Sequence, residues 1–178
     1  GAHQARNAAT AVEVVFALRA QGLAIPGDAI QNGLTQAYQP ARQEVLRAKP
    51  LVLLDGAHNL QGISSLAETV RGISNRPLAV VMGMLADKPY REAIPMMAAL
   101  CGRFYAVQPD NPRALPARAA AEAARGYCDR IEVHQKIAEA VKAAADFAGS
   151  DGAIVICGSF YLADAARRAV NRQIPIAK

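Results

Sequence analysis

Within five residues the segment Asp55-Gly56-Ala57-His58-Asn59 gathers a carboxylate, an imidazole, an amide and a glycine. It follows the apolar run 51–54 and precedes a helical pattern, so it sits where a strand hands over to a helix. Asp55 could accept hydrogen bonds from ribose hydroxyls. His58 could donate to a phosphate, helped by the partial positive charge of a helix N-terminus. Gly56 would let the backbone approach a ligand. The same residues have an architectural reading, with Asn59 as a helix N-cap and Asp55 as a turn residue. Residue types alone leave both readings open.

The elements that must position these groups are legible from residue 51 onward. Short apolar runs occupy 51–54, 78–82, 104–107, 131–133 and 153–157. Most are apolar at consecutive positions, as in strands buried on both faces. Between them lie helical stripes. Ile63, Leu66, Ala67, Val70 and Ile73 form one, and Ala93, Ile94, Met97 and Leu100 the next. An Ala-rich stretch covers 115–126, followed by Ile137, Ala140, Val141 and Ala144, then Leu162, Ala163, Ala166 and Val170. This alternation predicts an α/β domain over 46–178, with a mostly parallel, Rossmann-like sheet flanked by helices. In open sheets of this kind ligands bind beyond the C-terminal strand ends, where the 55–59 segment lies. Residues 1–45 read differently. Ala8, Ala11, Val12, Val15 and Leu18 make one helix ended by Gly22, and a second follows Pro26. Residues 37–50 form a connector with a short strand near Val45.

The chain has 178 residues and is 52% hydrophobic and 20% charged, which excludes a disordered chain. The net charge of +5 is spread without a basic run. It reads as a solvated surface rather than a nucleic-acid footprint. Cys101, Cys128 and Cys157 form no CxxC pair and no Cys/His spacing suggests zinc, so reduced thiols in a cytoplasmic protein are expected. Cys157, in an apolar run, is expected to be a buried small residue. No apolar run is long enough to span a bilayer.

The string LVLLDGAHNLQGISSLAETVR resembles folylpolyglutamate synthase/dihydrofolate synthase of the Mur ligase superfamily. Three further segments agree in order: Gly1-Ala2-His3-Gln4 with Asn7-Ala8, then Pro40-Ala41-Arg42-Gln43-Glu44, then Cys157-Gly158-Ser159-Phe160-Tyr161-Leu162. The resemblance implies an ATP-dependent ligase that joins L-glutamate to dihydropteroate or a folate through an acyl phosphate, with Mg²⁺. It assigns Asn7 to the adenine, Arg42 to ATP phosphates, Asp55 to the ribose and His58 to a phosphate, with Arg42 and His58 acting in catalysis. Asp110-Asn111-Pro112-Arg113 resembles the loop that binds the incoming amino acid in a related Mur ligase. Arg113 would then hold a glutamate carboxylate, or else be a solvated arginine on a turn. Ser159 would cap a helix or, with Tyr161, contact the amino acid. Lys88 and His134 read as surface residues, and His3 as support for Asn7 or a local cap. The residues offer no clear cage for Mg²⁺.

Three positions depart from the family pattern: Leu60 stands where Pro is usual, Ala41 where Gly is common, and Pro89 where an acid often follows Asp-Lys. No G-x-x-x-x-G-K-[ST] loop occurs in the chain. The resemblance places that loop and the metal ligands in a preceding ATPase domain, of which residues 1–45 would be the last two helices and the hinge. The rival readings are another Mur-type ligase, such as a peptidoglycan precursor enzyme, and a non-catalytic nucleotide-binding or interaction domain. By itself this chain is expected to be inactive. ATP-dependent ligation by the isolated 178 residues would contradict that expectation.

Overall fold

The computed structural model describes residues 2–73 and 75–174; the side chains of Ala2 and His3 lie outside the description, and the role expected of His3 lies there with them. The chain divides into two compact units, 1–40 and 41–178. The first contains α1 (Ala2–Ala20) and α2 (Ala29–Gln36). Gly22 follows α1 at φ 93°, the left-handed backbone that terminates a helix most easily at glycine. Arg19 Nε donates to Ile25 O at 3.1 Å and ties the connector to α1. Helix α2 begins three residues after Pro26, which precedes the helix rather than opening it. α2 buries none of its residues, and Val14, Phe16, Leu23 and Leu34 of this unit are exposed.

The second unit is a six-stranded sheet in the order β1-β2-β6-β3-β4-β5. Strand β1 (Glu44–Ala48) is antiparallel to β2 (Leu51–Asp55) and forms one edge. The other pairings are all parallel and involve β3 (Leu78–Met82), β4 (Arg103–Ala106), β5 (Ile131–Val133) and β6 (Ala153–Cys157). Helices α3 (Leu60–Arg71), α4 (Tyr90–Ala98) and α5 (Ala117–Ala124) cover one face. Helices α6 (Ile137–Ala148) and α7 (Ala163–Gln173) cover the other. The sheet is thus mostly parallel with helices on both faces, as the sequence predicts.

The central strands explain why their sequences are continuously apolar. In β6, Val155 and Cys157 pack under α3–α5, while Ile154 and Ile156 pack under α6 and α7. Burying each of the branched side chains contributes about 1.5–3 kcal/mol. Burial also pushes the Cys157 thiol pKa up, with the neighbouring Asp55 charge adding to it, so the thiol stays protonated. The three cysteines are free, as expected for reduced thiols, and Cys157 is the small core residue that its setting suggests.

Strand order creates the crevice. The chain leaves β2 through α3, fills β3, β4 and β5, and returns through α6 to insert β6 between β2 and β3. Neighbouring strands β2 and β6 therefore send their chains to opposite faces, and the loops after them diverge. Tight backbone packing shapes that edge. A Cβ on Gly158, at φ 102°, would lie 2.5 Å from Gly83 O, and one on Gly83 would lie 2.5 Å from Val107 O. Gly158→Ala is therefore expected to cost at least about 2 kcal/mol in urea unfolding, from backbone strain and the clash together. An unchanged midpoint would contradict this packing.

A candidate phosphate-binding site at the end of β2

Asp55 is the last residue of β2 and is 5% exposed. Its Oδ1 accepts from Ala57 N at 2.7 Å, closing a turn of the kind aspartate favours. Its Oδ2 accepts from Gln43 N at 3.0 Å. Gly56 N in turn donates to Ala41 O at 2.7 Å. The loop that starts α3 and the 41–43 loop are thereby laced into one structure. Asn59 caps α3 through its side chain, which accepts from Gly62 N at 2.8 Å. Leu60 opens that helix where the family pattern has proline. The architectural readings of Asp55 and Asn59 are thus realised in the fold.

The 41–43 loop is tight. Ala41 and Gln43 take φ values of 55° and 46°, the left-handed region that costs a residue with a Cβ about 1–2 kcal/mol. The preference for glycine at position 41 has its physical reason here. Glu44 holds the strained loop in place. Its Oε2 accepts from Ala41 N at 2.8 Å, and its carboxylate is gripped by Arg167 of α7, at 3.2 Å from Nε and 2.6 Å from Nη2. The result is that Arg42 projects from the loop, with its guanidinium 4.7 Å from the centre of the Phe160 ring. Among the described residues it makes no hydrogen bond or ion pair, so its donors are available to an anion.

His58 meets the same ring edge-on, with centroids 5.7 Å apart. Its Nδ1 lies 3.0 Å from Gly56 O. A carbonyl can only accept, so Nδ1 carries a proton, and Nε2 donates to a ligand only when the ring is the imidazolium. Phe160 belongs to the 3-10 turn Phe160–Leu162 after β6, and it fits because Gly56 has no side chain: a Cβ there would lie 2.4 Å from the ring. Arg42, Asp55, His58 and the segment from Gly158 onward therefore converge at the β2/β6 crevice. Phe160 was legible in the sequence only as the variable position of the Cys157–Leu162 motif, because its role depends on β6 lying beside β2.

The remaining candidates are distributed more widely. Ser159 is buried, and its Oγ accepts from Tyr161 N at 3.2 Å, capping the 3-10 turn; Tyr161 is exposed. Arg113 lies beyond β4 and pairs with Asp87 Oδ2 at 3.2 Å, and Lys88 approaches the same oxygen at 3.5 Å. Desolvation raises the Asp87 pKa, but its backbone hydrogen bond and the two cations outweigh it and hold the carboxyl below its usual value. The Asp110–Arg113 loop is built on an Asn111 turn, with Oδ1 accepting from Arg113 N at 2.9 Å. Asn7, in the first unit, is exposed and donates to Gln4 Oε1 at 3.3 Å. His134 is not the partnerless surface residue expected from the sequence. It is 18% exposed, its Nε2 is 3.3 Å from Glu132 Oε2, and its ring tilts against Tyr105. It also lines a cavity of about 560 Å³ beyond β4 and β5, with Gln108, Asp110 and Arg118. No group of three or more His, Cys, Asp or Glu among the described residues could hold a metal ion.

Fold and site together define an α/β domain with a candidate ligand site at the C-terminal end of a strand. The family profile described as Mur ligase, glutamate ligase domain, matches residues 41–160, and the chain belongs to this family. Its curated relatives include the folylpolyglutamate synthase of Lacticaseibacillus casei, 34% identical over 94% of this chain and 38% of that protein. The dihydrofolate synthase/folylpolyglutamate synthase of Mycobacterium tuberculosis is 34% identical over 97% of this chain and 39% of that protein. Among solved structures, Mycobacterium tuberculosis folylpolyglutamate synthase complexed with ADP and AMPPCP superposes with a TM-score of 0.81 at 32% identity, covering 97% of this chain and 41% of that one. Escherichia coli FolC in complex with DHPP and ADP gives 0.75 at 27% identity, over 93% and 38%. The chain spans about two fifths of the length of the curated relatives it matches.

Glu44→Ala removes both the grip of Arg167 and the acceptor for Ala41 N. It is expected to cost about 2–3 kcal/mol in urea unfolding and to speed amide exchange at Ala41. Wild-type values for both would contradict the anchoring role of Glu44.

Proposed function

We propose that this chain is the glutamate ligase domain of an ATP-dependent ligase that joins L-glutamate to dihydropteroate or a folate. The observation that carries the reading is the Arg42 guanidinium, without a hydrogen-bond or ion-pair partner among the described residues, held over the Phe160 ring that His58 also meets at the β2/β6 crevice. The family membership and the relatives' printed activities support it.

The described residues fit a nucleotide's phosphates. Arg42 offers forked donors, His58 offers Nε2 when protonated, and α3 directs its N-terminus to the same edge. Asp55 would accept from a ribose hydroxyl, and Asn7 would serve the adenine. When bound, ATP supplies the phosphoryl group that activates the substrate carboxylate as an acyl phosphate. Arg42 and His58 would hold and neutralise phosphate charge as it shifts during transfer. Arg113, Ser159 and Tyr161 would receive the incoming glutamate, whose amine attacks the activated carboxyl carbon. Arg113 would do so as a carboxylate clamp whose excess charge Asp87 only partly offsets. The resemblance to the family would place the Mg²⁺ ligands, the phosphate loop and the pterin site in a preceding ATPase domain. The exposed Val14, Phe16 and Leu34 fit helices that belong to that larger domain. A hinge near residues 42–49 would let the domains close and exclude water. Free cysteines fit a cytoplasmic setting, and no helix among the described residues is long and apolar enough to cross a membrane.

The test uses the intact protein with dihydropteroate, a folate and glutamate supplied in turn to a coupled ATPase assay. Arg42→Ala and His58→Ala are the informative substitutions, because Asp55→Ala would also unlace the loop. Each is expected to raise the ATP KM or lower kcat by about ten- to a hundredfold, with the unfolding midpoint retained. Unchanged kinetics in both would remove the site. Turnover only with a peptidoglycan precursor, or with no acceptor, would replace the folate reading.

A further inference from the structure

We propose that Phe160 is a positioning residue for phosphate recognition: its ring contacts both the Arg42 guanidinium and the His58 imidazole, and the absence of a side chain at Gly56 admits that ring. The proposal rests on the nucleotide reading above and goes beyond it, since no motif assigns Phe160 a task.

The geometry is specific. Arg42 lies over the ring at 4.7 Å, and His58 meets it in a T-shaped arrangement at 5.7 Å. Among the described residues the ring is Arg42's one restraint, because its guanidinium has no hydrogen-bond or ion-pair partner there. An arginine left with only solvent around it samples many rotamers, and ordering it would then be charged against ligand binding. A cation over an aromatic face is held without consuming its N–H donors. An acidic partner would also hold the arginine, but it would cancel the charge that a phosphate needs. His58 is fixed from two sides, by Gly56 O at Nδ1 and by the ring. Phe160 is 39% exposed, so its removal opens no sealed core, and the cap of its turn comes from Ser159. The absence of a Cβ at Gly56 completes the device, since an alanine there would occupy the space of the ring.

Two readouts on the intact protein test this. The first needs no nucleotide: the Arg42 δ-protons should show an upfield ring-current shift in NMR spectra, lost in Phe160→Leu and kept in Phe160→Tyr. The second is ADP binding by calorimetry. Phe160→Leu is expected to weaken ADP about fivefold and Gly56→Ala similarly, while Phe160→Tyr stays near wild type. In an Arg42→Ala background, Phe160→Leu should change affinity less than about twofold, because the two side chains act as one unit. Losses that add independently would mark Phe160 as merely structural and overturn the proposal. Wild-type ADP affinity in Phe160→Leu, alongside weakened binding in Arg42→Ala, would overturn the positioning role and leave the nucleotide reading intact. If the unsubstituted protein binds no ADP, both fall.

Discussion

A carboxylate buried at the end of a strand must find donors, and Asp55 accepts from the Ala57 amide on its own loop and from the Gln43 amide of the preceding one. An unsatisfied charge in that position would cost several kcal/mol. Those two bonds, with the Gly56–Ala41 link, fix the geometry from which everything else at the crevice follows. They set where α3 begins, and they force the 41–43 loop into a left-handed conformation that neither Ala41 nor Gln43 would choose. The strain persists because Glu44, clamped by Arg167, holds the loop from the other side.

That arrangement separates structural charge from available charge. Arg167 is spent on Glu44, and Asp87 pairs with Arg113 and Lys88. Arg42 alone in this loop is held by an aromatic face instead of an acid, so no partner among the described residues cancels its charge. Each element of the crevice thus has two jobs. Asp55 folds the loop on which its proposed ribose contact depends, and Gly56 permits a close approach that admits Phe160. The chain belongs to the glutamate ligase domain family, and the phosphate site proposed for it lies at the strand ends, where open α/β sheets bind their ligands.

Much of this was legible in the sequence. The continuous apolar runs marked strands buried on both faces, and the helical stripes marked α3, α4, α6 and α7. Asn59 offered a cap, whereas the positive φ at Ala41, which explains why glycine suits that position, came only from the fold. What the sequence hid was tertiary. Nothing local says that β6 inserts between β2 and β3, so nothing local says that Phe160 lies against Gly56. The Glu44–Arg167 pair joins residues 123 apart in the chain. His134 reads as surface until Glu132 and Tyr105 close over it. Periodicity reports which face of an element is buried; it does not report which neighbour buries it.

The central claim is that the segments 41–43, 55–61 and 158–161 form one phosphate-receptive surface. Amide hydrogen exchange of the intact protein with and without ADP tests it most directly. The account predicts that added protection appears in all three segments together and leaves 108–118 and 133–135 unchanged. Protection confined to those last two stretches, or absent from the three segments at saturating ADP, would contradict it.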